Sequence, residues 1–335
     1  MKEEIISKNI QDEEQILNIS LRPKKLGEFI GQGRVREGLS IGVRAALKRK
    51  EPIDHVLFSG PQGLGKTTLA HIIAHEMGSN VITTSGPSID RAGDLVGILT
   101  NLNEGDVFFI DEIHRLSKTV EEFLYSAMEN FKIDFIIDKG PYARTIKFHL
   151  KRFTLIGATT RSGLLSAPLR ARFGIYHHLD FYQPDELSHI VKRSANLMDI
   201  PIEEKAALMI ARCSRGTPRI ANRILRRVRD YAQVKFDGNI TASIVSIALE
   251  KEGIDDLGLS HIDRRVLSTI IEQYKGGPVG IDALVAALNE EPDTIIDVVE
   301  PYLLKAGFLK RTRQGREATD LAYKHLKPNK DKAVI

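Results

Sequence analysis

A glycine-rich segment between an apolar run and a helical run constrains this chain of 335 residues more than any other feature. Residues 60–68 read GPQGLGKTT and match the spacing G-x-x-x-x-G-K-[ST]. His55–Ser59 before them is predicted to form a strand, and Lys66–His75 after them a helix. Glycines in such a loop let backbone N–H groups point at an anion beside the helix N-terminus. The segment therefore predicts a phosphate-binding loop in an α/β fold, with an ordinary glycine turn as the alternative.

The side chains of this loop suit a nucleotide. Lys66 is predicted to bring a positive charge to the β- and γ-phosphates of ATP, and the Thr67 hydroxyl to bind Mg²⁺. The other loop positions predicted to contact the nucleotide are Gly63, Leu64, Gly65 and Thr68.

A second motif places two carboxylates at the end of an apolar strand. Val107–Ile110 is followed by Asp111 and Glu112. Asp111 is predicted to reach Mg²⁺, and Glu112 to polarise the attacking water as general base. Strands often end in acids, so the pair alone is weak evidence. Following a phosphate-binding loop, it favours hydrolysis over nucleotide binding alone.

Two further polar positions complete the predicted catalytic set. Thr160 follows the apolar run Phe153–Ala158, at the strand end where ligands bind in open α/β sheets, and is predicted to position the attacking water. Arg172 lies in the segment LRARFG. An arginine there can stabilise the charge on a transferring phosphoryl group, although two arginines in a loop are also typical of surface ion pairs.

The order of elements predicts an α/β domain with a parallel sheet. Val81–Thr84, Val107–Ile110 and Phe153–Ala158 are short apolar runs separated by helical segments, which is typical of a sheet covered on both faces. Residues 133–149 alternate β-prone side chains around Lys139-Gly140-Pro141, which predicts a β-hairpin insertion. Two ordinary strands of the main sheet remain the alternative.

The second half of the chain is predicted to form two smaller domains. Residues 184–254 carry four helical patterns, and the glycine- and acid-rich stretch Gly253–Gly258 indicates a linker. Residues 255–335 show three helices and then a hairpin, the order of a winged helix. With an N-terminal arm at 1–20, the large domain is expected at 21–183.

Charge and helix-start signals indicate anionic ligands in these domains. Residues 305–332 hold nine Lys or Arg against three acids, which suits a polyanion, although a solvated basic tail is the alternative. Thr217-Pro218 starts a helix and puts Arg219 in its first turn. A cation there is unfavourable beside the helix dipole unless an anion lies nearby, so Arg219 is predicted to contact phosphate.

Composition indicates an intracellular protein. The single cysteine, Cys213, excludes an intrachain disulfide and fits a reducing compartment. The first residues lack the profile of a secretory signal, and no apolar run reaches the ~20 residues needed to span a bilayer. We therefore expect a cytoplasmic protein without membrane spans.

The motifs together resemble the AAA+ ATPases, and among them the RuvB family of Holliday-junction branch-migration motors. The similarity runs from about Leu21 to Leu326. The segments that carry it read FIDEIHRL, TLIGATTR, PLRARFG, RGTPRI, GGPVG and EPYLLKAGF. The resemblance implies an ATPase domain, a helical lid and a winged-helix head. It also implies a homohexameric ring on duplex DNA at Holliday junctions, in homologous recombination and DNA repair, with RuvA and RuvC as partners.

The resemblance also assigns roles to individual residues. Arg172 would reach into the ATP site of a neighbouring subunit, Arg219 would be the second sensor, and Thr160 the first. Arg311 and Arg316 would touch DNA, and the hairpin at 133–149 would dock on RuvA. The further positions implied to lie beside the nucleotide are Leu21, Arg22, Glu129, Asn130, Phe131 and Tyr182.

Three positions depart from the family pattern. Gln62 stands where Pro or Ala is usual, outside the glycines that touch phosphate, so activity is expected to survive. Asn130 replaces an Asp and removes one charge near the nucleotide. The wing reads Thr312-Arg313-Gln314-Gly315-Arg316 where Thr-Pro-Arg-Gly-Arg is usual, so its tip is expected to be less rigid.

Two other functions fit part of the pattern. An ATP-switched DNA-binding regulator, or a scaffold like a clamp loader, would use the same loop and winged helix without processive movement. A protein-remodelling AAA+ chaperone has little use for a basic wing.

Overall fold

The computed structural model describes residues 20–137 and 144–326. The predicted arm apart from Ser20, the turn at Lys139–Pro141 and the tail beyond Leu326 lie outside the described residues. Contacts divide the chain into two compact units, separated between Asp180 and Phe181. Pro61–Gly63 groups with the second unit although its neighbours in sequence belong to the first.

The first unit contains a five-stranded sheet with the order β2-β3-β6-β1-β7. All four strand pairings are parallel, which confirms the predicted fold class. Since the strands run in one direction, their carboxyl ends share one edge of the sheet. The strands are β1 (Val56–Ser59), β2 (Val81–Ser85), β3 (Val107–Asp111), β6 (Thr154–Thr159) and β7 (Ile175–His178).

Helices cover this sheet and bury its apolar side chains. β1 and β6 are buried along their whole length, which explains why both are continuous apolar runs in the sequence. The helices are α1 (Gly33–Arg49), α2 (Lys66–Met77), α3 (Ala92–Thr100), α4 (Lys118–Asn130) and α5 (Ala167–Ala171). Phe108 of β3 packs in one core cluster with Leu99 of α3 and Leu124 of α4.

The predicted hairpin forms a two-stranded antiparallel sheet of its own. Its strands are β4 (Lys132–Ile137) and β5 (Arg144–His149). The base of the hairpin is anchored, because Ile133 is fully buried and Phe148 packs against the same core cluster as Phe108. The alternative of two ordinary strands in the main sheet is therefore wrong.

The sequence analysis missed an edge strand and a long helix. β7 reads Ile-Tyr-His-His and alternates half-buried with exposed positions, so it carries no apolar run. α1 starts after Gln32, which has a φ of 52° and makes no side-chain cap, so the usual helix-start signal is absent.

The second unit begins with four helices close to the predicted ones. They are α6 (Pro184–Leu197), α7 (Glu204–Arg212), α8 (Pro218–Lys235) and α9 (Ala242–Lys251). α6 starts with a capping box between Gln183 and Glu186, and Pro184 occupies its first turn. Cys213 lies buried just after α7, where it packs as a small apolar residue.

The rest of the second unit has the winged-helix order. It contains α10 (His261–Glu272), α11 (Ile281–Leu288), a π-helical turn (Thr294–Val299), α12 (Glu300–Lys305), β8 (Leu309–Arg311), β9 (Arg316–Ala318) and α13 (Asp320–Leu326). Residues 292–305 are continuously helical, with a π-helical part at Thr294–Val299, and Pro301 lies in the α-helical part that follows it. Val279 forms an isolated antiparallel β-bridge with Arg316 and so lies beside β9 of the hairpin β8–β9.

Phe108→Ala should lower the free energy of unfolding of the first unit by about 3–5 kcal/mol, because it leaves a cavity between the sheet and its helices. Ile41→Ala is the control: Ile41 is 64% exposed on α1, so its loss should change that free energy by no more than about 0.5 kcal/mol. Urea denaturation followed by circular dichroism measures both. Equal effects of the two changes would contradict the packing described.

Candidate functional site

The glycine-rich loop has a backbone that only glycine adopts easily at several positions. Gly60, Gly63 and Gly65 have φ values of 130°, 78° and 104°. A Cβ atom on Gly60 would lie 2.3 Å from the Leu179 carbonyl oxygen, so a side chain has no room there. α2 begins at Lys66, directly after Gly65. The first backbone N–H groups of a helix have no intrahelical partner, which makes this loop an anion site.

Lys66 is a buried cation at the centre of this loop. Its side chain donates a hydrogen bond of 2.7 Å from Nζ to the Gly60 carbonyl oxygen, and the residue is 7% exposed. Burial lowers the pKa of Lys66 to about 8, while the charges of Asp111 and Glu112 act in the opposite direction. A phosphate group would supply the counter-charge that favours the protonated amine.

The fold brings the predicted magnesium ligands together. Thr67 Oγ1 lies 3.5 Å from Asp111 Oδ2 although the two residues are 44 positions apart. The other oxygen of Asp111, Oδ1, accepts a 2.9 Å hydrogen bond from the Glu112 backbone N–H. One hydroxyl and one carboxylate beside a phosphate site are the hard oxygen ligands that Mg²⁺ takes in nucleotide sites.

The Glu112 side chain is partly exposed to solvent and forms an ion pair with Arg115. Its Oε2 lies 3.2 Å from Arg115 Nη1, and 34% of its side chain is exposed. The residue has a φ of 47°, and a Cβ on Gly86 would lie 2.4 Å from its carbonyl oxygen. The sequence analysis missed Arg115 and Gly86: Arg115 lies in the segment FIDEIHRL, but its pairing with Glu112 depends on the short 3₁₀ turn Ile113–Arg115.

Thr160 follows β6 at the same sheet edge as the phosphate loop. In the parallel register, Thr159 pairs with Ser59 at the end of β1, and Gly157 pairs with Ile110 just before Asp111. Thr160 therefore follows a strand that lies between the two strands carrying the loop and the carboxylates. The Thr159 hydroxyl lies 3.0 Å from His114 Nδ1, a contact that the sequence analysis also missed.

Arg172 contacts residues of α4. Its Nη2 lies 3.0 Å from Glu129 Oε1, and its guanidinium lies 4.5 Å from the centre of the Tyr125 ring. Nη1 donates a 2.8 Å hydrogen bond to the Pro168 carbonyl oxygen. The structure thus brings together Arg172 and Glu129, two residues that the family resemblance assigns to nucleotide sites.

The remaining predicted nucleotide contacts of the first unit lie in different surroundings. Leu21 is buried, and Arg22 lies near enough to His71 of α2 to help lower its pKa, although burial is the larger cause. Phe131, which follows Asn130 at the end of α4, has its ring 5.8 Å from that of Phe153. Phe131 thus packs against the domain core.

In the second unit, Arg219 lies against part of the phosphate loop. Its backbone N–H points at the Gly63 carbonyl oxygen at 3.4 Å, and a Cβ on Gly63 would lie 3.0 Å from the Arg219 Cβ. Tyr182 is buried and its N–H donates a 2.9 Å hydrogen bond to the Gly216 carbonyl oxygen. Both contacts therefore involve the segment RGTPRI: Arg219 belongs to it, and Tyr182 donates to its Gly216.

The two arginines of the wing that are predicted to bind DNA differ in how far their side chains are exposed. The Arg311 side chain is 61% exposed, whereas the Arg316 side chain is 8% exposed and paired with Glu300 at 3.0 Å. Thr312 and Gly315 close the tip with reciprocal backbone hydrogen bonds of 2.8 and 3.3 Å. Lys310 and Arg313 are exposed beside Arg311. The exposed cations of the wing are therefore Lys310, Arg311 and Arg313, of which Lys310 and Arg311 are consecutive on β8 and point to opposite faces of the hairpin.

A parallel sheet with a glycine-rich loop after β1, two carboxylates after β3 and a threonine after β6 defines a P-loop ATPase of the AAA+ class. Family models match the chain in three consecutive parts: the Holliday junction DNA helicase RuvB P-loop domain at residues 21–179, the RuvB AAA lid domain at 182–255 and the RuvB C-terminal winged helix domain at 256–327. The chain belongs to the RuvB family.

Individual relatives agree with the family models. The RuvB subunit of the Holliday junction branch migration complex from Desulfosudis oleivorans is 57% identical over 307 residues, covering 92% of this chain and 90% of that protein. The solved structure of the Thermotoga maritima RuvB Holliday junction branch migration motor has a TM-score of 0.85 at 56% identity, covering 92% of this chain and 98% of that chain. A point mutant of the same protein matches with a TM-score of 0.86 at 56% identity, covering 92% and 99%.

No helix within residues 20–137 and 144–326 is long and apolar enough to cross a membrane.

ATP binding should take up a proton between about pH 8 and 10. Burial holds the Lys66 pKa at about 8 in the free chain, and the phosphates should raise it again. Affinity for ATP should therefore fall as the pH rises above about 8, by at most about tenfold per pH unit. Calorimetry in EDTA, in two buffers of different ionisation enthalpy, measures the uptake. Lys66→Met should bind more weakly and show no uptake; unchanged uptake in this variant would assign the proton to another group.

Proposed function

We propose that the chain is the ATP-driven motor subunit that moves duplex DNA through Holliday junctions in homologous recombination and DNA repair. The observation that carries the proposal is that one chain contains the complete P-loop site and a winged-helix head, both matched by models of one family. The Desulfosudis and Thermotoga relatives carry this activity in their names. The proposed domains are an ATPase domain at 21–183, a lid at 184–254 and a head at 255–335.

We propose that the phosphates of ATP lie on the loop from Gly63 to Thr68. Lys66 binds the β- and γ-phosphates, and the backbone N–H groups of Leu64 and Gly65 line the cradle. Support comes from the left-handed backbone of the loop glycines and from the buried amine of Lys66. The outer contacts proposed around the nucleotide are Leu21, Arg22, Glu129, Asn130, Phe131, Tyr182 and Arg219.

Thr67 and Asp111 are the proposed ligands of Mg²⁺, which when bound neutralises charge on the phosphate oxygens. Glu112 accepts a proton from the attacking water, and Thr160 orients that water from the end of the neighbouring strand. For this, Glu112 must leave its 3.2 Å contact with Arg115, which is an exposed pair and therefore weak.

Arg172 is the proposed residue that acts on the ATP of a neighbouring subunit. Its contacts with Glu129 and Tyr125 hold it against α4, its contact with Pro168 lies within α5, and none of the three involves the phosphate loop of its own chain. An arginine supplied in trans stabilises charge on the transferring phosphoryl group. Such a site requires a head-to-tail interface between copies of the chain, and we propose that these interfaces close into a homohexameric ring.

Two of the proposed partners have a candidate surface. We propose that RuvA docks on the hairpin at 133–149, where Ile146 on β5 is 40% exposed. Duplex DNA at the junction would meet Arg311 and Arg316 of the wing, and RuvC would join in the resolving complex. The proposed location is the cytoplasm, which a single unpaired cysteine fits.

The second candidate function is an ATP-switched DNA-binding regulator or a scaffold like a clamp loader. A strand-exchange assay on a synthetic four-way junction, with and without RuvA and ATP, separates the two. A motor releases paired duplexes only when ATP is hydrolysed. ATP-dependent binding without strand exchange would support the switch.

Glu112→Gln should keep ATP affinity within about threefold while lowering turnover by a factor of about 10²–10⁴, because the amide fills the same space but cannot accept the proton. Fluorescent-nucleotide binding and phosphate release measure the two effects. Glu122→Gln, on the next helix, is the control and should leave both unchanged. Turnover near the parent value in Glu112→Gln would remove Glu112 from the mechanism.

Arg172→Ala subunits should be inactive alone but should restore ATP hydrolysis when mixed with Lys66→Ala subunits. In mixed rings, the intact Arg172 of a Lys66→Ala subunit can reach the intact nucleotide site of its neighbour. Phosphate release across mixing ratios measures the recovery. Arg170→Ala, which removes the nearby arginine, serves as the control and should be active alone. Mixtures that never exceed the separate activities would contradict action in trans.

A further inference from the structure

Arg215 carries a positive charge into the interior of the second unit. Its side chain is 9% exposed, and Asp263, the carboxylate that faces it, is fully buried. Arg215 Nη2 lies 3.1 Å from Asp263 Oδ1 and donates a 2.9 Å hydrogen bond to the Val298 carbonyl oxygen. The guanidinium also lies 4.8 Å from the centre of the Tyr302 ring. All four residues belong to the second unit, but Arg215 lies in the part matched by the lid model and its three partners in the part matched by the winged-helix model.

Asp263 is itself fixed at the start of α10. Its Oδ2 accepts hydrogen bonds from the Ser260 N–H at 2.8 Å and from the Ser260 hydroxyl at 2.6 Å, in the capping box of that helix. Its Oδ1 has Arg215 as counter-charge, in an ion pair whose angle is not that of a hydrogen bond. Removing one partner of a buried pair leaves an uncompensated charge, so the position of Arg215 is strongly constrained.

The backbone at Arg215 has an uncommon conformation. Its φ is 56°, in the left-handed region, which a residue with a Cβ atom keeps only where its surroundings hold it. Gly216 follows with a φ of 72°, and its carbonyl oxygen accepts the 2.9 Å hydrogen bond from the Tyr182 N–H. The chain therefore turns sharply at these two residues, and the buried side chain of Arg215 holds one end of the turn.

This turn leads directly to Arg219. Thr217, the N-cap of α8, closes it, because its N–H and its hydroxyl both donate to the Ser214 carbonyl oxygen, at 3.0 and 3.1 Å. α8 starts at Pro218, so the direction of its first residues follows from the turn before it. A Cβ on Gly63 would lie 3.0 Å from the Arg219 Cβ and 3.8 Å from the Thr217 Cβ. A small change in the turn therefore alters how Arg219 approaches this part of the phosphate loop.

We propose that Arg215 and Asp263 are positioning residues for ATP hydrolysis: their buried ion pair fixes the turn that aims Arg219 at the phosphates of ATP. The winged-helix part of the chain thereby supports the nucleotide site in addition to its proposed contact with DNA. This role rests on the proposed function, because it supposes that Arg219 contacts the nucleotide. It gives a function to Asp263, which lies in none of the motifs of the ATPase site.

The test is whether the pair acts through Arg219. Asp263→Asn keeps an oxygen for the capping box of α10 but removes the charge that faces Arg215. Arg215→Met removes the cation and keeps an unbranched apolar side chain of similar reach. Each change is made in the parent chain and in a chain that carries Arg219→Met.

Arg265→Met is the matched control. Arg265 also lies on α10, also donates to a carbonyl oxygen, that of Leu288 at 2.9 Å, and also faces a carboxylate, that of Glu290 at 3.5 Å. Both of these partners lie in the winged-helix part. The control therefore removes a similar ion pair from the same helix without touching the turn at Arg215.

The measurement is kcat and KM for ATP from phosphate release, at a temperature below every variant's unfolding transition. In the parent chain, Arg215→Met and Asp263→Asn should each lower kcat/KM by about 10- to 100-fold, because a shift of about 1 Å in an active-site group can cost that much. In the Arg219→Met chain, the same changes should lower it by less than about twofold, since the side chain that they position is gone. Arg265→Met should keep the parent kcat/KM even where it lowers the melting temperature. Affinity for a fluorescent nucleotide gives the same comparison if turnover of the Arg219→Met chain is too low to measure.

Equal losses in the two backgrounds would show that the pair supports the fold and not Arg219, which would overturn the proposal. The parent kcat/KM in both single variants, or in Arg219→Met alone, would overturn it as well. Asp263→Asn in the two backgrounds decides the question if Arg215→Met does not fold. Failure of the unmodified chain to hydrolyse ATP would instead reject the proposed function, so the two failures are distinct.

Discussion

The parallel pairing of β1, β6 and β3 determines where chemistry can occur in this chain. These three strands are almost fully buried, so their side chains must be apolar and their polar neighbours can lie only beyond the strand ends. Parallel direction puts all three carboxyl ends at one edge. The phosphate loop, the carboxylates and Thr160 meet there because each follows one of these strands.

Three charged side chains of the candidate site are held by local partners. Lys66 donates to the Gly60 carbonyl oxygen, Glu112 contacts Arg115, and Arg172 contacts Glu129. Each contact is a hydrogen bond or ion pair of moderate strength that compensates a partly buried charge. A ligand that binds the same group more strongly can replace it. The pair of Glu300 and Arg316 differs, since both members are buried and doubly hydrogen-bonded.

Much of the fold and of the site was predictable from local patterns. β1, β3 and β6 are continuous apolar runs, and the glycine spacing of residues 60–68 requires a loop around an anion. The edge strand β7 and the helix α1 were missed for physical reasons. β7 is half exposed and has no apolar run, and α1 starts without a side-chain cap, so neither leaves a local signal. Contacts such as His114 with Thr159 depend on tertiary neighbours and have no sequence pattern.

The amino-acid sequence by itself determined the class of the protein, the loop that binds phosphate and the order of its domains, because these depend on spacing within short segments. Only the tertiary structure decided what each charged side chain faces. Thr67 and Asp111 are 44 residues apart and meet through the sheet. Arg311 and Arg316 are both arginines on one hairpin, yet the Arg311 side chain is 61% exposed and the Arg316 side chain 8%. Burial and the choice of partner arise from packing between distant segments. No local sequence pattern records that packing.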